Sequence, residues 1–538
     1  MVDDYILNSN LAGLKWMVLL YFGVILLNVF MRYTFIYSIS DLGQSVIKDL
    51  RTTVYSHLLR LKLKYFDQTP VGASTTRTIS DIQAINEVFT QGVITIVADL
   101  LAIITVVSLM FYTSWVLTLI SLATLPVLLI ATYIFKEKVK SSYSKVRNQL
   151  SNMNAFLQER ISGMKIVQIF NAEEKEKNKF REINRKYTQA NLESVLYYSV
   201  FFPVVELISA FALALMVWYG AGAFLQGYVS FGALVAFPMF LDLMFRPVRM
   251  AADKFNTLQM GLVAAERVFK ILDNKEVIPD NGTVFKPRLS GAIEFKNVYF
   301  SYDEKVPVLK DISFKVAPGE TMAIVGSTGS GKSTIINILN RFYDTEKGEI
   351  LIDQIAIKDF KIQNLRDRIA IVLQDVFLFY GSVYDNITLK DPTISMDDVI
   401  RASQLIGAHE FLSELPGGYQ YVVMERGNNL SVGQRQLISF VRALIKDPDI
   451  LILDEATSSI DTKTEAVIQY AIEKLIEKRT SIIIAHRLST IKHANKIMVL
   501  EKGEILELGH HDELMTIENG RYRELYELSK HNEHSMLA

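Results

Sequence analysis

Two kinds of hydrophobic pattern run along the chain, and one gives way to the other near residue 270. Up to that point long apolar runs are separated by basic stretches. A helix needs about 20 mostly apolar residues to cross a bilayer core, and five runs meet that requirement. They are Trp16–Tyr37 (interrupted by Asn28 and Arg32), Val93–Met110, Val116–Phe135, Leu196–Trp218 and Phe231–Phe245, whose helical pattern continues past Arg246 to residue 250. The basic connections keep a helical apolar spacing, which predicts that the spans continue beyond the membrane as long rods. Each long connection contains one stretch suited to a bend: "DQTPVGAS" at Asp67–Ser74 and "ERISGMK" at Glu159–Lys165. After residue 270, short Ile/Val/Leu runs alternate with turns and helices, the pattern of a soluble α/β domain.

Charge orients the spans. The connection from Lys136 to Val195 carries Lys136, Lys138, Lys140, Lys145, Arg147, Lys175, Lys177, Lys179, Arg181, Arg185 and Lys186. The connection from Arg32 to Gly92 adds Lys48, Arg51, Arg60, Lys62, Lys64 and Arg77, whereas Tyr112–Ser114 and Tyr219–Ser230 hold no charge at all. Lys and Arg stay on the cytoplasmic side, so the two long loops are cytoplasmic and the two short ones face outward. Composition agrees: half of the 538 residues are hydrophobic, and mean hydropathy is +0.21. A net charge of −1 excludes a strongly basic nucleic-acid binder. Zero cysteines exclude disulfides, thiolate metal sites and thiol catalysis. No basic region and no A-x-A-like site precedes the first apolar run, so a cleavable leader of the usual form is not expected.

The soluble half carries the chemistry. "GSTGSGKST", Gly326–Thr334, fits G-x-x-x-x-G-K-[ST] between an apolar strand, "TMAIV", and a helical pattern, "TIINILNRF". In that setting the backbone of Gly326, Ser327, Thr328, Gly329, Ser330 and Gly331 converges on phosphates at a helix N-terminus. Lys332 reaches the β/γ oxygens, and the hydroxyls of Ser333 and Thr334 follow, with Ser333 placed on Mg²⁺. "ILILDEATSSID", Ile450–Asp461, is a buried-strand pattern ending in two acids. Asp454 suits Mg²⁺, and Glu455 suits polarising a water for attack on the γ-phosphate.

With these residues the chain from about Gly291 to Leu528 resembles the nucleotide-binding domain of an ABC transporter, motif by motif and in order. Tyr302 in "VYFSYD" is similar to the aromatic that stacks on adenine, and Gln374 in "IVLQDVFLF" to the glutamine that links Mg²⁺ to the membrane domain. "LSVGQRQ", Leu430–Gln436, resembles the signature usually written LSGGQ, so Ser431, Gly433 and Gln434 are expected to meet nucleotide. Val432 replaces the first glycine of the usual pair, which tunes that contact, and the acid and glycine often found before Glu425-Arg426-Gly427 are missing. "SSID", Ser458–Asp461, resembles the D-loop, and His486 in "IIIAHRLST" the switch histidine that senses γ-phosphate. In this family the signature of one subunit covers ATP held by the Walker motifs of another. A chain with one set of motifs is therefore expected to pair, with itself or with a different half-transporter.

Leu58–Ile85 and Gln158–Glu176 look like the two intracellular loops of the exporter type of ABC protein, their bends corresponding to coupling helices that rest on the nucleotide-binding domains. Asp253–Asp273 looks like the helix leading into the nucleotide-binding domain. The expected fold class is an all-α transmembrane domain with long cytoplasmic helical extensions at 1–270, a linker at 271–290, an α/β P-loop NTPase domain at 291–528 and a tail at 529–538. The resemblance implies ATP and Mg²⁺ as cofactors and an integral membrane location, in bacteria the plasma membrane. Its partners would be a second half-transporter, membrane lipid and an amphiphilic drug-like or lipid-like substrate. A peptide exporter and a non-transporting membrane-bound ATPase remain the alternatives. Asp99, Glu206 and Asp242 fall in or near spans, where a charge is costly and a functional role is the default. Tyr197, Tyr198, Phe201 and Phe202 read as helix packing or an interfacial belt in preference to a pocket. Half-transporters of this type have six spans, and Val2–Leu14 resembles the outer loop after their first. The expectation is that a first helix is missing and that Met1 lies inside a longer chain.

Overall fold

The structure, a computed structural model, describes residues 2–7, 10–303, 306–454, 462–484 and 491–537. It divides into two compact units. One joins Met1–Leu59 with Pro70–Lys275, and the other joins Arg60–Thr69 with Glu276–Ala538.

The first unit is helical, and among the described residues five helical stretches are long and apolar enough to cross a membrane. Leu11–Leu58 runs for 48 residues, roughly 72 Å at a rise of about 1.5 Å per residue. That is more than twice the ~30 Å of a bilayer core, so the rods expected from the basic connections are present. The stretch Val71–Thr113 follows, passing through two π-helical turns at Arg77–Asp81 and Val88–Val93. Trp115–Leu122 and Leu125–Ser162 come next, then Glu173–Leu225 and Phe231–Leu272. The expected span Val116–Phe135 is thus interrupted at Ala123–Thr124. Pro126 causes the break, because it has no N–H to offer the carbonyl of Leu122. Short helices at Leu63–Gln68 and Met164–Ile169 form the bends, the first earlier and the second later in the chain than the pattern suggested. Phe135, Phe201, Val205, Met216, Phe237 and Phe245 are buried at the centre of this unit, with Phe135 and Phe201 stacked at 3.8 Å. No residue in the apolar window of Leu11–Leu58 is buried. A helix apolar on every side suits lipid and neighbouring helices.

The second unit is α/β. Its strands are β1 (Ile293–Phe300), β2 (Leu309–Val316), β3 (Thr321–Val325), β4 (Lys347–Ile352), β5 (Ile355–Ala356), β6 (Ile369–Val372), β7 (Gly381–Ser382), β8 (Val422–Val423), β9 (Ile450–Asp454), β10 (Thr480–Ile484), β11 (Lys496–Glu501) and β12 (Glu504–Gly509). The main sheet has the order β12-β11-β3-β10-β9-β6, and a second sheet the order β2-β1-β4-β5. In the main sheet β11, β3, β10, β9 and β6 are parallel, and β12 closes one edge antiparallel. A parallel strand is covered on both faces and reads as a continuous apolar run, which is why "TMAIV" and "TSIII" are buried throughout. Alternate residues feed two cores: Ala323, Val325, Leu451, Leu453 and Ile483 on one face, Met322, Ile324, Ile452, Ile482 and Ile484 on the other.

Candidate nucleotide site

Three adjacent parallel strands deliver the motifs to one place. β3, β10 and β9 lie side by side, with Ile484 in register with Ile324 on one side and Asp454 on the other. The chain leaves all three at the same end, and the carboxyl ends of parallel strands are where α/β sheets bind ligands. From β3 it enters the glycine-rich loop at Gly326, from β9 it reaches Asp454, and from β10 it leads toward His486. Glu455, the D-loop Ser458–Asp461 and His486 themselves lie outside the described residues.

The loop Gly326–Gly331 opens the helix Lys332–Leu339. Gly331 has φ 108°, and a Cβ there would stand 2.7 Å from the Leu309 side chain. Only glycine holds that conformation without strain. Ser327, Thr328 and Gly329 are exposed, Gly326 is half-buried, and Ser330 is buried with no hydrogen-bond partner for its hydroxyl among the described residues. The Lys332 ammonium is buried and donates to the carbonyls of Gly326 and Ser327 at 2.8 and 3.0 Å. Burial pushes its pKa below the ordinary lysine value, and the Asp454 carboxylate opposes that shift. A buried cation behind a ring of loop N–H groups is complementary to a polyphosphate. Ser333 is exposed at the first turn of the helix, Asp454 half-buried at the end of β9, and Gln374 exposed two residues after β6. A hydroxyl, a carboxylate and an amide carbonyl are the hard oxygen donors that Mg²⁺ takes.

Tyr302 is held from the same helix. Its hydroxyl donates to Thr334 Oγ1 at 3.2 Å and accepts from Asn337 Nδ2 at 3.1 Å. Its ring meets Phe300 and Tyr343 edge-on, at 4.9 and 5.0 Å between centroids. The aromatic and the phosphate loop are thereby fixed to one element. The roles of Thr334 and Asn337 toward Tyr302 had no sequence signal, because hydroxyl and amide side chains on an amphipathic helix have many ordinary uses.

The signature segment opens the helix Val432–Leu444. Ser431 caps it: the Gln434 N–H donates to Ser431 Oγ at 3.2 Å, and the Ser431 N–H donates to Gln434 Oε1 at 2.8 Å. The side chains of Ser431 and Gln434 are therefore engaged with each other's backbone. The Val432 and Gly433 N–H groups remain the orphan donors of the first turn. Val432 is 42% exposed, so its side chain displaces nothing inside the domain. Arg442, on the same helix, donates to the carbonyls of Asn386 and Phe377 at 2.7 and 3.1 Å. It ties the signature helix to the segment that follows Gln374. Burial lowers its pKa from the ordinary arginine value to about 10, so it is still a cation at neutral pH.

The resemblance leads us to expect the first bend to rest on the nucleotide-binding domain, but its individual contacts were not legible in the sequence. The first bend, Leu63–Gln68, clusters with the nucleotide-binding residues. Tyr343, four residues past the phosphate-loop helix, donates its hydroxyl to the Asp67 carboxylate. Burial first, and the hydrogen bond to Asp67 second, raise the Tyr343 pKa above the ordinary phenol value. Lys62 Nζ pairs with Asp344 at 3.1 Å. Leu61 bridges Val277 in antiparallel fashion, with the Lys62 N–H donating to the Glu276 carbonyl at 2.9 Å. The bend is held between the linker and the segment that leaves the phosphate loop.

Comparison with known proteins agrees with this architecture. The family model described as ABC transporter transmembrane region matches residues 1–248, and the one described as ABC transporter matches residues 309–458. The "Probable multidrug resistance ABC transporter ATP-binding/permease protein YheH" of Bacillus subtilis (strain 168) is 38% identical over 98% of this chain and 78% of that protein. An "ATP-dependent lipid A-core flippase" of Syntrophus aciditrophicus (strain SB) is 36% identical over 98% of this chain and 88% of that protein. Among solved structures, "Structure of a bacterial Atm1-family ABC exporter with ATP bound" superposes with a TM-score of 0.75 at 29% identity, covering 90% of this chain and 85% of that one. The chain belongs to the ABC transporter family, as a half-transporter of the exporter type in which membrane and nucleotide-binding domains are fused. It is an integral membrane protein and an ATPase whose hydrolysis is coupled to transport, and a half-transporter works as a dimer.

Proposed function

We propose that the chain exports a drug-like or lipid-like amphiphile from the cytoplasmic side of a bacterial plasma membrane by alternating access. The observation that carries the nucleotide chemistry is the convergence of the phosphate loop, Asp454 and the strand toward His486 at one end of β3, β9 and β10, around the buried Lys332. In this reading Gly326–Thr334 cradle the phosphates, Lys332 neutralises the β/γ oxygens and Tyr302 carries adenine. Ser333, Gln374 and Asp454 would hold Mg²⁺, which when bound offsets the charge on the phosphate oxygens. Glu455 polarises the attacking water and His486 senses the γ-phosphate. The free N–H groups of Val432 and Gly433, with Ser431 and Gln434 beside them, close over nucleotide held by the other subunit. Closure reaches the membrane helices through the bends; the Tyr343–Asp67 and Lys62–Asp344 contacts support that route for the first of them. A family relative with a multidrug name and another with a lipid flippase name support the amphiphile class.

The test is ATP hydrolysis by the purified full chain, reconstituted alone in nanodiscs, with and without added amphiphilic dyes. Turnover by the single species, raised by at least one dye, is expected of a homodimeric exporter. Turnover that appears only after a second half-transporter is added assigns a heterodimer, and turnover indifferent to every dye favours the non-transporting ATPase.

A further inference from the structure

Three acids lie within or near the spans, and the structure separates them. Asp99 pairs with Lys254, and Asp242 with Arg249 at 2.9 Å. Glu206 has no hydrogen bond or ion pair with any described residue, and it is exposed at the middle of the apolar stretch Leu196–Trp218. A carboxylate facing hydrocarbon at that depth costs about 3 kcal/mol, so it does not belong on a lipid face.

The helix Glu173–Leu225 shows which way it does face. Steps of three and four residues trace the sides of a helix. Phe201, Val205, Ala212 and Met216 form the buried side. Leu196, Val200, Leu207, Phe211 and Trp218 form an exposed side without a single polar group, the composition that lipid requires. Ser199, Phe202, Glu206, Ala210 and Leu213 form a third side, also exposed and carrying the hydroxyl and the carboxylate. Pro203 sits between Ser199 and Glu206 and has no N–H for the carbonyl of Ser199. That leaves a second acceptor two turns from the carboxylate. Phe202 adds an aromatic face, stacked against Tyr198 at 6.1 Å.

We propose that Glu206 is the anionic anchor of a binding site for a cationic amphiphile, on the side of this helix that lines the transport path. The carboxylate supplies the counter-charge, the freed Ser199 carbonyl a second negative pole, and Phe202 a ring on which a delocalised cation can rest. This rests on the exporter reading, and the test separates the two.

Tetraphenylphosphonium and tetraphenylborate have the same shape and opposite charge. Their binding to the full-length protein in nanodiscs is measured for the native chain, Glu206→Gln and Glu206→Asp, together with the dimer fraction. ATP-driven uptake of a neutral amphiphilic dye into proteoliposomes is followed in parallel. Expected is a loss of about tenfold or more in tetraphenylphosphonium affinity for Glu206→Gln, as for a partly desolvated charge pair. Glu206→Asp should restore most of that loss, and tetraphenylborate binding should be unaffected or stronger. Equal changes for both ions, no change for either, or no tetraphenylphosphonium binding by the native chain would overturn the proposal. A lowered dimer fraction without a change in ion preference would also overturn it, by assigning Glu206 to the subunit interface. Dye uptake by a native chain that shows no preference between the two ions would remove the site and keep the exporter. Charge preference in a native chain that transports nothing would do the reverse.

Discussion

Lys332 shows how one residue combines two physical demands. Its ammonium is out of water, which favours the neutral form, yet it donates to two loop carbonyls and lies within reach of the Asp454 charge. A polyphosphate replaces those weak partners with charged ones, and hydrogen bonds between ionised groups are about twice as strong as neutral ones. Lys332→Ala should therefore weaken ATP binding by about tenfold or more, an effect of at least ~1.4 kcal/mol. Nucleotide titration of the purified protein checks this, and unchanged affinity would contradict the phosphate-loop assignment. The phosphate loop was legible because glycine spacing and the Lys-Ser pair are a local property. The contact between Tyr343 and Asp67 was not, since 276 residues separate them and Tyr343 belongs to no pattern. Nor was the pairing of Asp99 with Lys254 and of Asp242 with Arg249, which leaves Glu206 as the one of these three acids without a partner among the described residues.

At the scale of elements, the pattern located every apolar run, because length and hydropathy are read directly from residues. The interruption at Ala123–Thr124 needed the additional weight of Pro126, whose missing N–H acts on a carbonyl four residues earlier. Of the bends, the second was legible from Gly163, where a rod stops, whereas the first rod already stops at Leu58, ahead of Asp67–Ser74. The short helices of both bends were not legible, and six-residue segments such as Leu63–Gln68 are below the length at which helices form without tertiary support. That support is visible for the first bend in Asp67, Lys62 and the Leu61–Val277 bridge. Asp67→Asn keeps the shape and removes the charged acceptor of the Tyr343 hydroxyl. We expect ATP hydrolysis in that variant to persist within about twofold while ATP-driven dye uptake falls at least about fivefold, since a hydrogen bond to a charged group contributes about 1.5–3 kcal/mol. Parallel measurement of both rates in proteoliposomes is the check, and equal losses in both would mean that the contact serves the fold instead of coupling.

For the whole molecule, the shift in composition near residue 270 marks two solvents, lipid for the first part and water for the second. It does not show that Arg60–Thr69, well inside the membrane part of the sequence, clusters with the nucleotide-binding residues. That arrangement arises from pairings distant in sequence. The order of the parallel strands is another example: β3, β9 and β10 are separated by long stretches of chain, and their adjacency is what gathers the motifs. On the proposed reading, ATP chemistry at that sheet end drives an amphiphile across the membrane. Its most direct test is ATP-driven dye uptake into proteoliposomes by the native chain and by Glu455→Gln, with ATP retention measured on the same samples. The account predicts uptake by the native chain, and in the variant retention of ATP in a closed dimer with neither hydrolysis nor sustained uptake. Hydrolysis and uptake at the native rate in Glu455→Gln, or hydrolysis by the native chain without uptake of any amphiphile, would contradict it.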